Sequence, residues 1–122
     1  MTSTHPWHER LLRTIDAKDS SGFAEYLTPG AVFRFGNAPP VTGSAHIIQA
    51  LDQFFATVAA LEHHLSDFWD LPGHRICRGT VQYTRLDGDH VTAAFCNVLT
   101  MDHEKVARYE IYLDPTALFA PH

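Results

Sequence analysis

Ile76-Cys77-Arg78-Gly79-Thr80-Val81-Gln82-Tyr83-Thr84-Arg85, then Asp87-Gly88, then His90-Val91-Thr92-Ala93-Ala94-Phe95-Cys96-Asn97-Val98-Leu99-Thr100-Met101, is the stretch that decides the fold. Both arms are rich in β-branched and aromatic residues, which suit a pleated, half-buried surface. Asp-Gly between them reads as a tight hairpin turn, because glycine takes φ > 0 without a steric penalty. A third run, residues 106–113, follows the polar break Asp102-His103-Glu104. The last third of the chain is therefore expected to form a curved antiparallel sheet with one face in need of cover. Counting through a two-residue turn sets Gly79 opposite Cys96 and Arg78 opposite Asn97.

Upstream of the hairpin, residues 61–70 alternate as a strand. Leu61, His63, Leu65, Asp67 and Trp69 share one side, and His64, Ser66, Phe68 and Asp70 share the other. Pro72-Gly73 turns this strand into the hairpin. The first half of the chain supplies the cover. Trp7, Leu11, Leu12 and Ile15 recur at helical spacing. Lys18-Asp19 breaks that pattern, and Ser20 or Ser21 can cap a short second helix carrying Phe23, Tyr26 and Leu27. Thr28-Pro29-Gly30 ends it, and residues 31–35 alternate as a strand. Pro39-Pro40 marks a chain reversal. Ser44 then caps a helix over 45–60 whose stripe of Ile47, Ile48, Leu51, Phe54, Phe55 and Val58 suits a sheet face. The order αα-β-α-ββββ defines an α+β fold, read as one domain over residues 1–122 with the helices on one face of the sheet.

Composition narrows the partners. A 122-residue chain of 13.7 kDa with 45% hydrophobic residues can bury one core without staples. A formal charge of -5 and a pI near 5.9, with the basic residues scattered, argue against nucleic acid and against an anionic membrane surface. No apolar run approaches the roughly 20 residues of a membrane span, and no targeting segment is visible, so a cytoplasmic location is the expectation. Cys77 and Cys96, diagonal neighbours on one face in a tight hairpin, read as free core thiols. Nine histidines invite a search for metal ligands, but His-Glu-x-x-His and paired-cysteine spacings are missing. Neither a metal nor a cofactor is implied.

The order of elements, together with several patterns in series, resembles the nuclear transport factor two-like superfamily, in particular its SnoaL-like polyketide cyclase and ketosteroid isomerase-like branch. The matching patterns are Leu27-Thr28-Pro29-Gly30-Ala31-Val32-Phe33, Pro40-Val41-Thr42-Gly43, His63-His64-Leu65-Ser66-Asp67-Phe68-Trp69, the Asp87-Gly88 hairpin and Arg108-Tyr109-Glu110-Ile111-Tyr112-Leu113-Asp114. The resemblance implies a cone-shaped sheet around a long helix (a cystatin-like α+β roll), an apolar pocket and a homodimer formed through the sheet. It covers isomerases, cyclases, dehydratases, epoxide hydrolases and non-enzymes alike, so fold does not choose the chemistry. The family's catalytic residues transfer poorly. The helical Tyr of steroid isomerases falls on Leu11, their carboxylate base on Phe35, and their protonated Asp on Cys96 or Asn97. The inward Asp of epoxide hydrolase-like sites falls on Ile111.

What remains is a small set of candidates. His63 is the expected acid/base, since histidine exchanges protons near neutral pH; the bland alternative is a half-exposed strand histidine, and His64 points the other way. Asn97 is the expected polar anchor, with Arg78 facing it to help hold a carbonyl or a developing oxyanion; if that face is outward, the two are a solvated pair. Trp7, Phe33, Phe35, Phe55, Trp69 and Tyr109 are expected pocket walls, with Tyr26 and Tyr109 as hydrogen-bond donors, though such residues are more often plain core. The expected function is cofactor-free acid/base isomerisation, cyclisation or dehydration of an apolar, carbonyl-bearing, polyketide- or steroid-like molecule. A non-catalytic ligand-binding or dimerisation module of the same fold is the alternative.

Overall fold

The computed structural model describes residues 6–120. Two helices, α1 (Pro6–Asp16) and α2 (Ser20–Ala24), lead into β1 (Leu27–Phe35) and the two-residue β2 (Val41–Thr42). Helix α3 (Ser44–Phe55) follows, then β3 (Val58–Leu71), β4 (His74–Arg85), β5 (His90–Asp102), β6 (Lys105–Tyr112) and a closing 3-10 turn at Thr116–Phe119. The strands form one sheet in the order β2-β1-β6-β5-β4-β3. This is the expected α+β architecture, with one correction. β1 pairs with β6 in parallel, Phe33 opposite Tyr109 and Phe35 opposite Ile111, so the sheet is mixed rather than wholly antiparallel.

Local chemistry moves several boundaries. Asp19, not a serine, caps α2, its carboxylate accepting the Gly22 N–H at 2.9 Å. β1 begins at Leu27, four residues before the alternation suggests. Gly43, at φ +94, is the N-cap of α3, and Ser44 is its first helical residue. That helix stops at Phe55, where the Thr57 hydroxyl donates to the Phe54 carbonyl at 2.6 Å, and the β-branched Val58 opens β3 instead of extending the helix.

Two one-residue irregularities decide which side chains face inward. In the β4–β5 hairpin, Gly88 N–H donates to Arg85 O at 2.9 Å and Arg85 N–H to Asp89 O at 2.8 Å, with Gly88 at φ +96. The loop is thus Leu86-Asp87-Gly88 with a glycine bulge, one residue longer than a two-residue turn. The pairs become Cys77 with Asn97, Arg78 with Cys96 and Gly79 with Phe95. Arg78 does not face Asn97: the slip moves it to the opposite side of the sheet. The same slip separates the cysteines, Cys77 inward and buried, Cys96 outward, both free.

The second irregularity lies in β3. His63 pairs with Val81 and Leu65 with Gly79, but Asp67 pairs with Arg78 and Phe68 with Cys77, so Ser66 is an extra residue. Leu61, His63 and Leu65 face inward before the bulge, Phe68 after it, and Asp67 and Trp69 turn out. Gly79 makes this possible, because a Cβ there would stand 1.9 Å from the His64 carbonyl oxygen.

The inner face is covered by Leu11, Leu12 and Ile15 of α1, Phe23 of α2, and Ile47, Leu51 and Phe55 of α3, all buried. Among the described residues no helix is long and apolar enough to cross a membrane.

Candidate functional site

A cavity of about 160 Å³ opens between α3, the end of β1 and the inner sheet face. Phe33, Phe35, Phe54, Phe95 and Ile111 form much of its wall, and the exposed Ala38 and Pro39 mark its mouth. Among the described residues, the polar ones lining it are His63, Tyr83, Asn97 and Tyr109, and no Asp, Glu, Lys or Arg does.

His63 is held by a carboxylate that periodicity does not single out. Its ring Nδ1 lies 2.5 Å from Asp16 Oδ1, and its backbone N–H donates to Asp16 Oδ2 at 3.0 Å. An ionised carboxylate only accepts, so Nδ1 donates to Asp16 and Nε2 is the ring nitrogen left without that partner on a residue that lines the cavity. Both side chains are largely buried, at 9% and 13% exposure. Phe95 stacks edge-on against the imidazole at 5.2 Å. Asp16 is the last residue of α1, where a negative charge opposes the helix dipole. Two bonds to His63 and Arg13 Nη1 at 3.9 Å offset that disadvantage. This placement serves His63 rather than the helix.

Tyr83 is 3% exposed, lines the cavity, and its hydroxyl has no hydrogen-bond partner among the described residues. Burial pushes the phenol well above its usual range, and the negative charge of Asp16 acts in the same direction, so Tyr83 stays a neutral O–H donor. Asn97 Nδ2 donates to the Tyr109 hydroxyl at 3.2 Å, and the pair is buried. Desolvation also holds Tyr109 protonated, with Cys77 contributing. The Cys77 thiol is pushed up to about 12 by burial, against the opposing effect of a hydrogen bond from Asn97.

The cavity thus brings together His63, Asn97, Phe33, Phe35, Phe55 and Tyr109 from the set expected of the sequence. Four expected members lie elsewhere. Trp69, 45% exposed, and Arg78, ion-paired with Asp67 at 2.8 Å, face out because of the bulge and the longer hairpin loop. Trp7 and Tyr26 pack edge-on against each other at 5.7 Å, with the Arg75 guanidinium 4.4 Å over the Trp7 ring, outside the cavity lining. Asp16 and Tyr83 are the additions. Tyr83 was legible by alternation, since Cys77, Gly79, Val81 and Tyr83 share the inward side of β4. Asp16 carries no such signal; it lies beside Ile15 at the end of a helix. Where the resembling families place a tyrosine or carboxylates, this chain has buried Leu11 and the cavity-lining Phe35 and Ile111. Among the described residues no group of three or more His, Cys, Asp or Glu could hold a metal ion.

Residues 8–109 match the sequence model of the SnoaL-like domain. Among solved structures, a nuclear transport factor two-like protein of unknown function from Burkholderia pseudomallei superposes with a TM-score of 0.84 at 14% identity, covering 97% of this chain and 95% of that one. TerC, co-crystallised with polyporic acid, gives 0.78 at 20% identity over 88% of each chain. A candidate SnoaL-like polyketide cyclase from Jannaschia gives 0.76 at 18% identity, covering 93% of this chain and 92% of that one. At these identities the likeness is one of fold. No curated protein sequence matches the chain significantly.

Proposed function

The chain belongs to the SnoaL-like domain family, and from that footing we propose that it is a cofactor-free acid/base catalyst acting on a small, apolar, carbonyl-bearing ring compound. The observation that carries this reading is the His63–Asp16 contact of 2.5 Å on the wall of an otherwise apolar cavity. Asp16 fixes the imidazole tautomer and supports the imidazolium that forms when Nε2 takes a proton, so the two act as one base. Isomerisation, cyclisation and dehydration of such compounds can each begin with loss of a proton from the carbon beside a carbonyl, and one base is sufficient for that step. The cavity volume favours a single substituted ring over a four-ring steroid, since an apolar cavity of about 150 Å³ accommodates benzene.

The test is deuterium exchange. Small ring ketones in D2O, followed by NMR, should exchange their α-hydrogens faster with the protein than in buffer. His63→Ala should remove the acceleration while ligands still raise the melting temperature. Ligand binding with no exchange in the wild type would leave a binding protein, not a catalyst.

We also propose that the protein forms a homodimer through the outer sheet face. Trp69 and Tyr112 stand exposed there at 45% and 53%, and sedimentation should give twice the chain mass. A monomer at micromolar concentration would refute this.

A further inference from the structure

We propose that Tyr83 is the hydrogen-bond donor that holds the carbonyl oxygen of the substrate while His63 works on the neighbouring carbon. This rests on the proton-transfer reading above and assigns a role to a residue outside the positions where the resembling families place theirs.

The geometry narrows the choice. Leu61 pairs with Tyr83 and His63 with Val81, so Tyr83 and His63 are diagonal neighbours on the inner face of adjacent strands. Such neighbours have centres roughly 7–8 Å apart, within reach of long side chains and with room for a C–C=O unit between them. Asn97 lies in the other direction along the sheet, beyond the Gly79–Phe95 pair, and its Nδ2 is engaged by Tyr109. Tyr109, whose hydroxyl accepts from Asn97 and keeps its own proton to donate, stands on β6, three strands away from His63, whereas Tyr83 is on the adjacent strand. Tyr83 has no such partner: its hydroxyl is unbonded among the described residues although the residue is 3% exposed. The Tyr83 oxygen is not among the fully buried unpartnered side-chain atoms, so it opens onto the cavity it lines, where its O–H is available to an acceptor on a ligand. Phe54, edge-on at 5.9 Å, holds the ring in place.

The step balances without a further reactant. The α C–H bond breaks and its proton passes to His63 Nε2. The electron pair forms the C=C bond of an enolate, whose oxygen takes up the charge and is held by the Tyr83 O–H. The proton on Nε2 exchanges with a deuteron from D2O, and delivery of that deuteron from His63 back to the carbon, with the C=C electron pair forming the new C–D bond, completes the exchange.

Acetophenone is the probe, because its methyl group exchanges only through the enolate. Tyr83→Phe keeps the ring and its packing while deleting the donor. It should slow methyl exchange by about a hundredfold to a thousandfold, the usual effect of removing one oxyanion donor. The infrared carbonyl stretch of bound acetophenone, lowered by a hydrogen bond in the wild type, should rise toward its value in hydrocarbon solvent. His63→Ala should instead abolish exchange and leave the lowered stretch in place. Exchange within threefold of wild type in Tyr83→Phe, or an unchanged carbonyl stretch, overturns the assignment while leaving His63 as the base. Absence of bound acetophenone, or of exchange above buffer in the wild type, overturns the proton-transfer reading and this assignment with it.

Discussion

Gly79→Ala tests the close approach of β3 to β4 on which the bulge after His63 depends. The added methyl would sit 1.9 Å from the His64 carbonyl oxygen, 3.0 Å from its carbon and 3.1 Å from the Ser66 nitrogen. All three are backbone atoms, so no side-chain rotation relieves the clash. Overpacking of a tight site costs about 1–3 kcal/mol, and the upper end applies where only backbone can move. Replacing glycine recovers at most about 1 kcal/mol through the unfolded chain. The net loss is about 2–3 kcal/mol. With an unfolding entropy near ~2.1 cal/mol/K per residue, a 122-residue domain loses about 4 °C per kcal/mol, so the melting temperature should fall by about 8–12 °C. The strand can yield only by displacing the bulge at Ser66, three residues from His63, and ketone exchange should fall with stability even at temperatures where the variant is folded. Gly30→Ala is the control, since nothing lies within 4 Å of a Cβ there; it should melt within about 2 °C of wild type. Differential scanning calorimetry and the exchange assay together decide the matter. A Gly79→Ala melting temperature within about 2 °C of wild type would show that β3 and β4 do not approach as closely as argued.

Asp16→Asn should reduce exchange by about a hundredfold or more while ligand-induced stabilisation persists, because the amide no longer supports the imidazolium; retention of activity would detach Asp16 from the chemistry. His64→Ala and Arg78→Ala, both on the outer face, should leave exchange within about twofold of wild type in the same assay. Asn97→Leu should cost about 1–3 kcal/mol in urea denaturation by stranding the Tyr109 hydroxyl, and adding Tyr109→Phe should restore part of that loss; a double variant less stable than the single one contradicts the pairing. Stability should decline as pH rises above 9.0, the ordinary thiol value, because unfolded Cys77 ionises there whereas the folded thiol holds its proton to about 12. Tyr83 and Tyr109, also raised on folding, steepen the decline above pH 10.0, and an equal melting temperature at pH 8 and pH 10.5 would refute this.

Period and propensity made the fold legible. The long alternating runs of β4 and β5 and the apolar stripe of α3 each occupy many residues, so a misjudged end does not change the class. The site depends on smaller things. A strand has a period of two, so one extra residue reverses every later assignment. The glycine bulge at Gly88 did this to Arg78, and the bulge at Ser66 did it to Asp67 and Trp69. His63 lines the cavity because it precedes the Ser66 bulge and lies on a strand that does not enter the β4–β5 turn. Asn97 was found by composition alone, as a polar residue among apolar neighbours; its expected partner was wrong and its observed one, Tyr109, lies on the next strand. Trp7 and Tyr26 show the converse. Aromatic content says that a ring is buried, not which of two packed regions buries it.

The missing carboxylates at Phe35 and Ile111 change the charge arithmetic of the proposed reaction rather than merely removing a base. In that step a proton passes from a neutral substrate to His63, so a positive charge appears on the imidazole beside the Asp16 carboxylate and a negative charge appears on the substrate oxygen. The net charge of the site is unchanged. A second carboxylate at Phe35 or Ile111 would repel the enolate as it formed, in a medium where such repulsion is strong. With those positions apolar, the requirement left over is a neutral donor at the oxygen. The Asn97 amide, two strands from His63 and with one of its two N–H groups on Tyr109, meets it poorly; the protonated Tyr83 hydroxyl, on the strand adjacent to the proposed base, meets it well.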